Sequence, residues 1–318
     1  MHRRVSVVIP TYNGAGFITS TLESVFAQTE PPDEIVVVDD CSSDKTPAIV
    51  QSIAPRSPIR LRFITLPKNS GGPARPLNVG IREAAGEVIV LLDQDDLMRP
   101  QRIELQIRTL TALPACTIVI GRFAIIGYEE EDLTAMWPVS QFQELEHHID
   151  RQKHYSKVES EIAFKPLLVR NYAGSCSNFC FTKESWEKIG KFDETVRTCN
   201  DLDFMLRATL AGPIGVVNDN LFDYRCRESS LLRRDLGKSQ LEATMVRLKA
   251  ASRKPEWAAE ELEALRYSAL SLATVSLREG NWRSLGTMAE TLALYKGGLV
   301  LRRTISNKAR NFLKALHQ

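Results

Sequence analysis

Four short apolar runs recur through the first third of the chain, at Val5–Ile9, Glu34–Val38, Leu61–Leu66 and Val88–Leu92. Helical patterns fill the intervals at Gly16–Gln28, Thr46–Ile53 and Ala74–Ala85. Strand and helix alternating at this spacing predict βαβ units, because parallel neighbours need a long crossover and a helix supplies it. Strands covered by helices on both faces are apolar throughout rather than at every second residue, and these runs have that character. Each run stops at a polar cluster: Pro10-Thr11-Tyr12-Asn13-Gly14, Asp39-Asp40-Cys41-Ser42-Ser43-Asp44, Asn69-Ser70-Gly71-Gly72 and Asp93-Gln94-Asp95-Asp96. In a parallel sheet all four clusters lie on one rim, where α/β proteins bind ligands.

The last cluster is the most informative of the four. Three carboxylates within four residues repel one another, so the arrangement is cheap only where water or a cation screens it. One reading is a divalent metal carrying a phosphorylated ligand. The other is a solvated turn in which Asp95 or Asp96 opens a helix over Pro100–Leu113.

Beyond residue 115 the pattern is less regular. Thr117–Phe123 and Ser177–Thr182 predict strands, Lys183–Ile189 a short helix closed by Gly190, and Asn200–Leu210 a helix stopped by Ala211-Gly212-Pro213. Residues 236–318 predict only amphipathic helices, broken at Glu279-Gly280-Asn281-Trp282. The balance of 41 Lys and Arg against 39 Asp and Glu gives no case for nucleic-acid binding. Charge is uneven, however: residues 295–318 carry six basic side chains and no acid, with interleaved Leu299, Ile305 and Phe312. Such a helix suits an anionic membrane surface, or a docked position with solvated charges. No run reaches the ~18–20 apolar residues that span a bilayer, and no signal-peptide core follows Met1. Six scattered cysteines without a CxxC pair suit a reducing cytoplasm. The five histidines form no motif, and neither a GxxxxGK[ST] loop nor GxGxxG is present.

The strand-end segments together resemble glycosyltransferase family 2, over about residues 3–225. The resemblance rests on Val8–Asn13, Val36–Asp44, Asn69–Arg75, Leu92–Asp96, Ile189–Glu194 and Asn200–Asp203, in that order and spacing. It implies a GT-A fold, an α/β architecture with a mixed, mainly parallel sheet flanked by helices. It implies a nucleotide-sugar-binding half over 1–115, an acceptor-binding half over 116–235, and a helical C-terminal region over 236–318. Pro10, Thr11, Tyr12 and Asn13 would lie beside the nucleoside, Asp39 and Asp40 at the base, and Gly71 and Arg75 against the nucleotide. Asp93 and Gln94 would reach the ribose side, and Asp95 would hold Mn²⁺ or Mg²⁺.

The family's catalytic base aligns with Asp201, which would take the proton of an acceptor hydroxyl in an inverting displacement. Two departures stand out. Asn200 occupies the place of the family's usual glutamate, and Cys226-Arg227 follows Tyr224-Arg225 where many members carry a histidine. Arg225 or Arg227 would then supply positive charge near the diphosphate. Asp203 reads as a structural carboxylate. The absence of Gln-x-x-Arg-Trp and of spanning helices argues for transfer of one sugar rather than processive synthesis. A UDP-sugar is the expected donor, with dTDP- or GDP-sugars as alternatives, and a hydroxyl acceptor in glycan or glycolipid assembly. The rival readings are a degenerate member that binds nucleotide-sugar without turnover, and a sugar nucleotidyltransferase. The latter usually opens on a glycine- and lysine-rich loop, which Pro10–Gly16 is not.

Overall fold

The computed structural model describes residues 3–127, 142–226 and 236–258. Arg227, the helical break at 279–282 and the basic stretch 295–318 lie outside the described residues. Among the described residues a single nine-stranded sheet organises the fold. Its first half comprises β1 (Val5–Thr11), β2 (Glu34–Asp39), β3 (Arg60–Thr65) and β4 (Val88–Leu91), all mutually parallel in the order β3-β2-β1-β4. The helices α1 (Ile18–Phe26), α2 (Thr46–Ile53) and α3 (Ala74–Glu83) make the crossovers.

Every residue of β1, β2 and β4 is buried, as continuous apolar strands between two helical layers must be. Alternate side chains feed two cores. Val8, Val36 and Val38 pack with Leu77 and Ile81 of α3 on one face. Val7, Ile9, Ile35 and Val37 pack with Ile18, Leu22 and Val25 of α1 on the other. Burying each of these side chains stabilises the fold by about 1.5–3 kcal/mol. The outer strand β3 is the exception, with Arg60 and Arg62 on it, and charge on an edge discourages pairing with another chain.

The second half is mixed. After β5 (Leu97–Met98) and α4 (Arg102–Ala112) come β6 (Ile118–Ile126), β7 (Tyr155–Val158), α5 (Ser160–Leu167), β8 (Cys180–Thr182), α6 (Lys183–Ile189), α7 (Asn200–Ala211) and β9 (Ile214–Arg225). The order continues β4-β8-β6-β9-β5, with β7 also on β9. Only β6 and β9 are parallel here; β8 joins β4 and β6 antiparallel, as β5 and β7 join β9. Parallel pairing is therefore confined to the first half and one pair of the second.

Three local expectations need correction. Asp95 and Asp96 do not open the following helix: the chain enters β5 first, and α4 begins at Arg102 behind Gln101. The strand expected from Ser177 starts only at Cys180, because Cys176–Asn178 form a 3-10 turn whose Ser175 hydroxyl caps Ser177 N–H. The long strand β9 carried no clear signal, since the polar run Asn218-Asp219-Asn220 interrupts its apolar pattern where its register with β6 shifts. Such a bulge leaves residues outside the ladder and breaks the period-2 pattern. The helix α8 (Leu236–Ala251) then packs against α7. Among the described residues no helix is long and apolar enough to cross a membrane.

Candidate active site

The rim at the ends of β1–β4 is held by side chains that bridge neighbouring loops. Gln94 accepts from the Thr11 hydroxyl (2.6 Å) and Tyr12 N–H (2.9 Å) and donates to Tyr12 C=O (3.1 Å), fixing the acid turn to the end of β1. Gly14 is required there, because a Cβ would overlap the Gln94 amide. Asn13, in the left-handed region at φ 50°, accepts from Ser43 N–H (2.9 Å), and its own N–H meets the Ser42 hydroxyl (2.8 Å). Asp40 accepts from Ser70 N–H and the Ser70 hydroxyl (both 2.9 Å), so it pins the loop before α3. Side chains of Thr11, Asn13, Asp40 and Gln94, all expected beside a nucleotide, thus hold the rim together.

Asp39 is different. It is fully buried at the end of β2, and its Oδ2 accepts from Ser42 N–H (3.0 Å). Its Oδ1 is buried with no hydrogen-bond partner. An unmet buried acceptor costs about 1–3 kcal/mol, so this oxygen is suited to an incoming N–H donor. Just past the end of β1, Tyr12 exposes 43% of its surface. Arg75, on the first turn of α3, lines a cleft of about 250 Å³ with Lys68, Ser70, Gly72 and Glu194. Gly71 forms the lip before it at φ 84°, a backbone conformation that favours glycine.

In the acid turn each carboxylate has its own surroundings. Asp96 is buried: Oδ2 accepts from the Ser177 hydroxyl (2.6 Å) and Oδ1 from Arg225 N–H (2.8 Å), while Thr21 donates to its C=O (3.0 Å). Burial, with the charges of Asp95 and Asp93, pushes its carboxyl well above the usual range. Asp93 and Asp95 are partly exposed. Burial, then the charges of Asp95 and Asp201, raises Asp93 to about 7. Beneath the turn lies Arg102, fully buried, donating to Leu91 C=O (2.8 Å) and Gln106 (3.1 Å). Burial lowers its pKa to about 10 against the pull of Cys180, Asp96 and Asp93. From the other side Arg225 donates through Nε to Asp95 C=O (2.8 Å), so its guanidinium lies along the turn.

Asp201 reaches the same region from α7. Its charge acts on Asp93 and on the buried Cys176 thiol, although Asp93 and Asp201 come from distant parts of the chain. Asn171 donates to its Oδ2 (2.7 Å). Burial raises Asp201 to about 6, against the lowering effect of bonds from Leu202 N–H and Asn171. Its neighbour Asn200 is buried and turns its amide to Cys176 Sγ (3.5 Å). Asp203 faces the other way, into a 2.6 Å ion pair with Arg207, in keeping with a structural role. Asn171, Ser177 and Arg102 were not legible as site residues. Their only sequence signal is polarity in stretches that bury, as Ser175, Ser177 and Asn178 do.

No cluster of three or more ligating side chains occurs among the described residues. The donor set nevertheless fits a Mg²⁺ or Mn²⁺ ion shared with a ligand, since such ions take one or two carboxylates and complete their shell with phosphate and water. The mutual repulsion of Asp93, Asp95 and Asp201 gives a cation at this rim a favourable field.

A family model described as Glycosyl transferase family 2 matches residues 6–173. The succinoglycan biosynthesis protein ExoO of Rhizobium meliloti is 31% identical over 237 residues, 72% of this chain and 62% of ExoO. The chain spans 58% of the length of the first curated relatives it matches, uncharacterized glycosyltransferases of Rickettsia typhi and Rickettsia prowazekii. Among solved structures, S. aureus TarS 1–349 in complex with UDP-GlcNAc aligns with a TM-score of 0.57 at 20% identity, over 93% of this chain and 92% of that one. A mannosyltransferase, PcManGT from Pyrobaculum calidifontis, in complex with GDP-Man and Mn²⁺, gives 0.57 at 21%, over 98% and 81%. At these identities the structural likeness establishes the fold, which is GT-A.

Proposed function

The chain belongs to glycosyltransferase family 2, and from that membership we propose that it transfers one sugar from a nucleotide-sugar to a hydroxyl acceptor, with inversion and with a divalent cation. The observation that carries this reading is the meeting of Asp93 and Asp201, from opposite halves of the sheet, at a rim that also presents the unmet Oδ1 of Asp39. Residues 1–115 bind the donor and 116–235 shape the acceptor side, and α8 packs against the helix that bears Asp201.

Asp39 Oδ1 accepts an N–H from the base, which suits the imide of uracil and makes a UDP-sugar the favoured donor. Tyr12 gives the base a face, Arg75 and Gly71 border the nucleotide, and Asp93 bonds the ribose. Asp95 holds Mn²⁺ or Mg²⁺, which when bound offsets charge on the diphosphate. Arg225 adds a second positive charge along the same turn.

Asp201, oriented by Asn171, takes the proton from the acceptor hydroxyl. The freed oxygen attacks the anomeric carbon, and the bond to the diphosphate breaks with its electrons leaving on the phosphate oxygen. A base raised to about 6 is well matched to this task near neutral pH. Likeness to ExoO, a succinoglycan biosynthesis protein, supports a role in polysaccharide assembly. The scattered cysteines, without a CxxC pair, suit a cytoplasmic setting for this reaction. The basic stretch 295–318 would contact the membrane there.

The test is a thermal-shift panel of UDP, dTDP, GDP and their sugars with and without Mn²⁺. Metal-dependent stabilisation by one base alone is expected, on the order of 3 kcal/mol at a hundredfold excess over Kd. No response to any nucleotide would remove the reading.

A further inference from the structure

The residue that secures the start of α7 lies on α8, outside the strand ends that form the rim. Glu242, on α8, accepts from Arg197 N–H through Oε1 (2.8 Å) and, through Oε2, from Thr198 N–H (2.6 Å), the Thr198 hydroxyl (2.5 Å) and Cys199 N–H (2.9 Å). One carboxylate thus gathers four donors from the three residues that lead into the helix bearing Asp201. Backbone N–H groups before a helix have no partner within it, and an anion there is favoured by the helix dipole. Hydrogen bonds to an ionised acceptor are also the stronger kind, so the turn is held tightly.

The same turn supports the nucleotide side of the rim. A Cβ on Gly72 would sit 3.1 Å from Arg197 C=O, so the 69–72 loop rests directly on the backbone that Glu242 holds. From α8, Arg247 also faces the region: it donates to Leu167 C=O (3.0 Å), and its charge and that of Asp201 act on each other. The Cys199 thiol donates to Ser239 C=O (3.5 Å), a further tie between turn and helix.

We propose that Glu242 is a positioning residue for Asp201, so that α8 is part of the active-site machinery and sets the angle at which the base meets the acceptor. This rests on the reading of Asp201 as the base. Glu242 acts in two ways. It fixes the turn from which Asp201 projects, two residues past Cys199, and its charge raises the proton affinity of Asp201. The titratable and charged groups whose fields act together with that of Asp201 are Asp93 from the acid turn, Cys176 from the 3-10 turn, Cys199 from the turn before α7, and Glu242 and Arg247 from α8.

The experiment uses the full chain and follows release of nucleoside diphosphate from UDP-GlcNAc and from GDP-mannose with Mn²⁺, across about pH 5 to 9. Wild type, Asp201→Asn, Glu242→Ala, Glu242→Gln and Glu242→Asp are compared, with nucleotide affinity and thermal melting measured in parallel. Misplacing a catalytic group by about 1 Å costs on the order of a hundredfold, and a loss of that size in kcat is expected for Glu242→Ala with nucleotide affinity kept within threefold. Glu242→Gln keeps one accepting oxygen and removes the charge, so a roughly tenfold loss is expected with the acid limb of the profile moved to lower pH. Glu242→Asp recovers part of the rate. If Glu242→Ala does not fold, the Gln profile decides alone. An unmoved acid limb in Glu242→Gln, or a folded Glu242→Ala with wild-type kcat, overturns the proposal while leaving the base intact if Asp201→Asn is inactive. Full turnover in Asp201→Asn removes the base reading, and this one with it.

Discussion

The two sides of the rim are built on different principles. On the proposed nucleotide side, four parallel strand ends are bonded to one another through Gln94, Asn13 and Asp40. Asp39 Oδ1 is the one described carboxylate oxygen there that is buried and has no partner. On the acceptor side, Asp201 stands at the head of a helix, raised by burial and oriented by side chains from separate elements, Asn171 and, through the turn, Glu242. The first side is a bonded frame that leaves Asp39 Oδ1 unmet, and in the proposed function the second turns on Asp201, whose properties come from its surroundings. Binding and turnover are therefore expected to respond to different residues.

The largest separation should come from Asp201→Asn. Removing a general base costs on the order of 10²–10⁴-fold in turnover, and nucleotide affinity measured by calorimetry should stay at the wild-type value. Loss of affinity in step with turnover would mean that the two sides are not independent. Next in size is Asp39→Ala, which should weaken nucleotide binding by about tenfold to a hundredfold, as expected for losing one charge-assisted bond, while turnover at saturating donor changes little. A nucleotide that binds Asp39→Ala normally must read its base elsewhere.

The pH profile sharpens the contrast further. In the proposed function Asp201 acts as its carboxylate, and burial raises its folded pKa to about 6. Turnover should therefore fall about tenfold per pH unit below about 6. A rate that holds constant to pH 4.5 would move the base away from Asp201.

The smallest effect concerns stability. Asp93 has a folded pKa of about 7, above its unfolded value near 4, so the folded chain holds this proton more tightly. Its contribution is fully present below about pH 4 and is lost as pH rises through about 7. Asp93→Asn carries no charge at any pH. It should melt a few degrees above wild type at pH 8 without nucleotide or metal, with the gap closing toward pH 5. The same variant should lose the extra stabilisation that Mn²⁺ gives with a nucleotide. A gap that widens as pH falls would reverse the assigned sign.

How legible each side was follows the same division. β1, β2 and β4 were readable because a strand buried on both faces needs an unbroken apolar run, and their polar ends mark the rim directly. The acceptor half was less so. β9 hides behind the bulge at Asn218–Asn220, β8 is three residues long, and Ser177 sits in a 3-10 turn rather than the expected strand. Asp201 itself was found through its resemblance, whereas Asn171 and Glu242 match no pattern. Their roles depend on where their helices and loops meet in space.

The sequence by itself determined the alternation of strand and helix, the shared rim, and the residue types gathered on it, because local periodicity and turn chemistry act between near neighbours. Only the tertiary structure decided which carboxylates of that rim are spent on holding it together and which remain for chemistry. Asp40 and Asp96 bond loop to loop; Asp39 keeps an unmet oxygen, and Asp93 and Asp201, from distant parts of the chain, lie within each other's field. Burial and the field of distant charges make that distinction, and both are properties of the packed chain that no stretch of sequence carries.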